Sequence, residues 1–162
     1  HGPFLVDNNV FLSPVSLLDM SEGGAYAHNL FGGRILSHPE PSRETPYHPA
    51  HTTEVAGLVN IKGGDNRFYN NILIGDGASA GKDPAWRRGY GLWMYDSREL
   101  PLWTGGNVFY HGARPYGRET NAVVSEEHNP QATLRQQDGH FLLDLDLGSE
   151  LKGADTDRKS VV

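Results

Sequence analysis

An asparagine followed by large apolar residues recurs four times in this chain. It stands in "DNNVFLS" from Asp7, "HNLFGG" from His28, "YNNILIG" from Tyr69 and "GNVFYHG" from Gly106. Taking Asn9, Asn29, Asn71 and Asn107 as equivalents, the gaps are 20, 42 and 36 residues. The first is one period of about 20, the second about two, and the third one period with a loop or two short ones. A period in that range with one strand per repeat points to a solenoid, in which each repeat buries its apolar face only against its neighbours.

The segments before the asparagines extend the pattern. "VSLLDMSEGGAYAHNLFGG", "AGLVNIKGGDNRFYNNILIG" and "YGLWMYDSRELPLWTGGNVFY" each read as a strand, a Gly- or Asp-containing corner, a second strand, an asparagine turn and a third strand. On that alignment Leu18, Val59 and Trp93 are equivalent. Three strands and three corners per turn make the plan of a right-handed parallel β-helix. Asn tolerates a left-handed backbone at a corner, and its amide can bond the amide one coil away. The alternative is an antiparallel sandwich. Most gaps between strands are unlike two-residue hairpin loops, which disfavours it.

Composition agrees with many short strands and tight turns. Gly and Pro together make about 19% of the chain, against roughly 12% in average usage. No apolar stretch has helical spacing over three turns. A net charge of -6 gives no basic footprint for nucleic acid, and no apolar run is long enough to span a membrane. The chain has no cysteine, which removes disulfide and thiol chemistry.

Three stretches break the coil pattern. Residues 37–55 and 76–89 are expected to be inserted loops, of the kind that wall a groove on a solenoid. From residue 119 the pattern changes: "TLRQQDGHFLLDLDL" alternates polar and apolar residues around Asp138-Gly139, a hairpin signal. Residues 119–156 are therefore expected to form an antiparallel β cap, cut short, after coils over 1–118. The last residues, 157–162 ("DRKSVV"), resemble translated vector sequence, or else an ordinary polar tail.

Candidate chemistry lies in two places. Asp19, flanked by Leu17, Leu18 and Met20, is an acid inside an apolar packet, and Glu22 follows it. Its aligned positions are Asn60 and Met94. Carboxylates in a row along one face can serve glycoside hydrolysis as acid and as base or nucleophile; the alternative is that Asp19 simply points to solvent. The 37–55 loop gathers Arg43, Tyr47, His48, His51 and Glu54. The His48-x-x-His51-x-x-Glu54 spacing allows a metal, hydrogen bonds that pin the loop, or substrate contact with proton transfer. Pro46 and Pro49 rule out a regular helix there. No metal or other cofactor is expected. Trp86, beside Arg87 and Arg88, is the aromatic best placed to stack on a sugar face.

The runs "GPFLVDNNVFLSPVSLLDMSEGGAYAHNLFGGRI", "TPYHPAHTTEVAGLVNIKGGDNRFYNNILIG" and "TGGNVFYHGARPY" resemble late coils of bacterial right-handed β-helix proteins, glycoside hydrolase family 141 and its neighbours, over about residues 1–118. The resemblance implies a secreted or periplasmic enzyme acting on plant or other polysaccharide, fucosidase- or xylanase-like, with carboxylate catalysis and an extended groove. It carries Asp19 over as a catalytic acid. A complete pair is missing, since Asn60 at the aligned position is not an acid. Two alternatives stand: a polysaccharide lyase using Lys62, Arg43 or His48 as base, and a non-catalytic carbohydrate-binding solenoid. The expected partners are a saccharide and the rest of the protein's own chain.

Overall fold

A computed structural model describes residues 3–49, 51–77, 89–149 and 151. Trp86, most of the 76–89 loop and the 157–162 tail lie outside them. The described chain is all β, apart from a 3-10 segment at Trp93–Ser97. No helix among these residues is long and apolar enough to cross a membrane.

Most pairing is parallel. Strands β1 (Phe4–Asp7), β2 (Val10–Phe11) and β3 (Val15–Asp19) come first, and β4 (Gly24–Ala27), β5 (Leu30–Phe31) and β6 (Arg34–Ser37) repeat them. An insertion follows, made of β7 (Glu40–Pro46) and β8 (Leu58–Ile61). The repeat then resumes with β9 (Arg67–Tyr69), β10 (Ile72–Ile74), β11 (Trp103–Gly105), β12 (Val108–Tyr110) and β13 (Val123–Ser125). Among the described residues the last strands are β14 (Thr133–Gln137) and β15 (His140–Asp144). One sheet runs β1-β4-β9-β11, a second β2-β5-β10-β12-β13, and β3 pairs with β6. All the pairs in these three sheets are parallel.

Parallel strands need a long connection before the chain returns to its neighbour. Here every return passes the same corner, and the four asparagines occupy it. Asn9 Nδ2 donates to Asn29 Oδ1 at 3.2 Å, Asn29 Nδ2 to Asn71 Oδ1 at 3.1 Å, and Asn71 Nδ2 to Asn107 Oδ1 at 3.0 Å. Each acceptor oxygen also takes the backbone N–H of the preceding ladder residue. Each of the three later amides donates to the carbonyl of a residue facing the core, Val6, Tyr26 or Phe68. Asn29, Asn71 and Asn107 are buried, so these bonds satisfy groups that water cannot reach.

The corner divides two jobs between adjacent residues. The left-handed backbone falls on the residue before each ladder position: Asn8 (φ 57), His28 (φ 55), Asn70 (φ 54) and Gly106 (φ 64). The ladder asparagine supplies the amide, and the left-handed turn expected of it belongs to its neighbour.

The ladder also corrects the spacing. Asn29 and Asn71 are direct neighbours across 42 residues, so that gap is a single step enlarged by an insertion and not two periods. The equivalence of Leu18, Val59 and Trp93 fails with it. Leu18 pairs with Leu36, Val59 with Thr45 in an antiparallel hairpin, and Trp93 begins the 3-10 segment. The 37–55 segment is correspondingly not all loop, because its first half is the strand β7.

Alternation sets the core. Tyr26 and Phe68 stack face to face inside the first sheet, with centroids 4.5 Å apart. Phe31, Leu73 and Phe109 from the second sheet meet them, together with Ile35, Leu92 and Tyr95. The second sheet is apolar on both faces. Leu30, Ile74, Val108 and Tyr110 form a second cluster, covered by Ala132, Leu145, Leu147 and Leu151. The segment after residue 118 thus first adds β13 to the parallel stack and then lies along its flank. The hairpin expected at Asp138-Gly139 forms, with φ of 50 and 80 at its two turn residues. Both its strands are exposed along their length.

The ladder ends on an acid. Asn107 Nδ2 donates to Glu119 Oε1 at 2.8 Å, while the buried Glu119 Oε2 has no hydrogen-bond partner. Burial pushes the Glu119 carboxyl up from 4.5 to about 7, against the pull of Asn107 and Thr104.

Two outcomes follow from the ladder. Asn71→Ala removes the side-chain donor to the Tyr26 carbonyl, one of the two donors to the Asn107 oxygen, and the oxygen that accepts from the Asn29 backbone and side-chain N–H groups. It should cost on the order of 3 kcal/mol, read as a lower midpoint in chemical denaturation. Glu119 has a folded pKa above its unfolded value. The stability it contributes is therefore complete below pH 4.5 and is lost as pH rises to about 7. Glu119→Gln should keep the ladder bond and gain roughly 1–3 kcal/mol at pH 8, toward the lower end because the group keeps some exposure, with little change at pH 4. Denaturation curves at the two pH values check it.

Candidate functional site

On the outward face of the first sheet, side chains form rows across the strands. Leu5, Ala25, Arg67 and Trp103 are in register from β1 to β11. The β7–β8 hairpin stands beside this face as a wall. Between the two lies a cleft of about 1140 Å³. Leu5, Ala25 and Arg67 line it from the sheet, Thr45, Tyr47, His48 and His51 from the wall, and Glu22 and Asp65 from the corners.

The wall is tied at its base. Tyr47 N donates to the Gly57 carbonyl and Ala56 N to the Tyr47 carbonyl, both at 2.9 Å. This closes the loop between β7 and β8 and leaves the Tyr47 ring 49% exposed. His48 Nδ1 lies 3.1 Å from the Glu54 carbonyl. A carbonyl only accepts, so Nδ1 is the donor in this contact.

The expected site residues separate into groups. Tyr47, His48, His51 and Glu22 come together around the cleft. Glu22 Oε1 takes the backbone N–H groups of Lys62 at 2.5 Å and Gly63 at 3.1 Å, which fixes the carboxylate at the corner. Arg43 and Glu54 are exposed and do not line the cleft. His48 meets Glu54 through the Glu54 backbone carbonyl, which makes a loop pin of the His-x-x-His-x-x-Glu spacing. Among the described residues no three His, Asp or Glu cluster as metal ligands. Trp86 lies outside the described residues.

Asp19 occupies a different environment from either alternative considered for it. It is only 4% exposed, at the end of β3. Its Oδ1 accepts from the Ser21 backbone N–H (3.0 Å) and hydroxyl (2.5 Å), and its Oδ2 from Asn66 Nδ2 (2.7 Å) and the Tyr95 hydroxyl (2.5 Å). Asn66 Oδ1 in turn accepts from the Gly24 backbone N–H. Burial and the nearby Asp19 charge together hold the Tyr95 and Tyr26 hydroxyls well above the usual phenol range, so both remain protonated donors. A carboxylate with four donors and no exposed face is built to brace the β3 and β9 corners. Nor is Asn60 its counterpart, since Asn60 stands on the antiparallel β8.

Sequence reasoning did not single out Asp65, Arg67 or Trp103. Asp65, at φ 51, holds both of the others. Its carbonyl accepts from Arg67 Nη1 at 2.6 Å, and its Oδ1 accepts the Trp103 indole N–H at 3.2 Å.

No protein-family model and no curated protein sequence matches the chain. A solved structure described as the complex of XylC with xylose is similar to it, at 30% identity and a TM-score of 0.80. The match covers 95% of this chain and 27% of that one, so the chain spans about a quarter of that protein's length.

Asp19→Asn places an amide N–H₂ among four donors. It should lower the melting temperature by several degrees in the absence of any ligand. An unchanged melting temperature would show that the network is not structural.

Proposed function

We propose that the chain is part of a secreted or periplasmic glycoside hydrolase acting on plant or other polysaccharide, with the stacked strands as coils of a right-handed parallel β-helix. In this reading the cleft between the first sheet and the β7–β8 wall holds the saccharide. The observation that carries it is the convergence of Tyr47, His48, His51, Glu22 and Arg67 on one cleft of about 1140 Å³. A ring, hydrogen-bonding imidazoles, a carboxylate and a guanidinium suit the apolar faces and hydroxyl edges of a sugar. The similarity to a protein solved with xylose supports the same class of ligand. In this reading Glu22, which lines the cleft, is the carboxylate that acts on the bound saccharide, and hydrolysis needs a second one beside it.

The burial of Asp19 favours a second reading, a carbohydrate-binding solenoid without chemistry of its own. It removes from the cleft the acid that the family resemblance carried over.

Calorimetry with neutral xylo-oligosaccharides tests the cleft. Tyr47→Ala should weaken binding by roughly 3- to 10-fold, the loss of one aromatic contact. Release of reducing ends that Glu22→Gln abolishes, with binding retained, would support hydrolysis. Binding with no turnover in the unaltered protein would support the second reading, and 4,5-unsaturated products would indicate a lyase.

A further inference from the structure

The outer face of the first sheet continues past the cleft. Arg67 on β9 is paired with Trp103 on β11, the strand beyond. From Leu5 to Trp103 the row crosses three strand gaps, about 14 Å at the usual spacing, which is longer than a single pyranose ring. Trp103 is 51% exposed at the end of this row.

An exposed tryptophan is ordinarily free to change rotamer, and this one is tethered. Its indole N–H donates to Asp65 Oδ1, which is also paired with Arg67 Nη1 at 3.4 Å. Asp65 is itself fixed. Its N–H donates to the Pro101 carbonyl at 2.8 Å, and its carbonyl accepts from Gly23 N at 3.2 Å. A non-glycine residue with φ 51 at this corner holds strained backbone, and its side chain is what orients the two neighbours. The tether occupies the polar edge of the indole and leaves a ring face exposed. Beside that face stand a carboxylate and a guanidinium, an acceptor and donors suited to sugar hydroxyls.

We propose that Trp103, held by Asp65 and Arg67, is a stacking subsite for a neutral oligosaccharide that lies across the strands from the cleft. This rests on the saccharide-binding reading of the cleft and specifies its ligand. The ligand is a chain and not a monosaccharide, because the row is longer than one ring. It is neutral, because the guanidinium of this row is already paired with Asp65 and is not left over for a uronate. Trp103 positions and binds sugar and takes no part in bond cleavage.

Calorimetric titration and tryptophan fluorescence with xylose, xylotetraose and an oligogalacturonate test this in the intact chain, in Trp103→Ala, Trp103→Phe and Tyr47→Ala. Trp103→Ala should lower xylotetraose affinity about tenfold and leave xylose affinity and the melting temperature unchanged. Trp103→Phe should recover most of the loss. The subsite is overturned if Trp103→Ala binds xylotetraose like the unaltered chain while Tyr47→Ala does not, an outcome that leaves the cleft reading intact. Tighter binding of oligogalacturonate than of xylotetraose overturns the neutral ligand. If none of the three saccharides binds the unaltered chain, the subsite and the cleft reading both fall.

Discussion

The amide column Asn9–Asn29–Asn71–Asn107 is the interaction on which the other features depend. Two sheets meet at that corner, and their backbone groups turn inward where no strand can pair them. Each buried asparagine answers this with one oxygen that accepts from the preceding ladder residue and one nitrogen that donates onward to the next and to a core carbonyl. All the amides point the same way along the column, and Glu119 closes it at the donor end. A carboxyl there receives the last N–H at the cost of burial, which accounts for its raised pKa.

Fixing the corner fixes the register, and register decides which side chains face outward together. Leu5, Ala25, Arg67 and Trp103 follow one another at offsets of 20, 42 and 36 residues, the same offsets as the ladder. A slip of one residue on β9 would turn Phe68 out of the core and Arg67 into it. The outward face proposed to bind saccharide thus consists of positions that the buried asparagines hold in line. The β7–β8 insertion adds the wall without disturbing them, because it leaves after β6 and returns before β9.

Much of this was legible in the sequence, unevenly. The four asparagines could be found by inspection, because each is followed by apolar residues. The Asp138-Gly139 turn was equally plain. The strand alignment beyond the asparagines was not, because Val59 and Leu18 look alike in composition although one lies on an antiparallel hairpin. Asp19 was read as a catalytic carboxylate on one face of the strands, or else as a side chain pointing to solvent. Nothing local revealed that Asn66 and Tyr95, distant in the chain, would enclose it. The Trp103 platform was within reach: applying the ladder offset to Arg67 leads directly to Trp103. What hid it was the reading of the 42-residue gap as two periods, which broke the register before it reached β9.

The most direct test of this account is a nuclear magnetic resonance titration of the labelled chain with a neutral xylo-oligosaccharide. Shifts are expected at Ala25, Tyr47, Arg67 and the Trp103 indole N–H, with the side-chain amides of Asn29 and Asn71 unmoved. Shifts confined to the opposite flank, around Tyr110 and Val124, or no shifts at saturating saccharide, would contradict it.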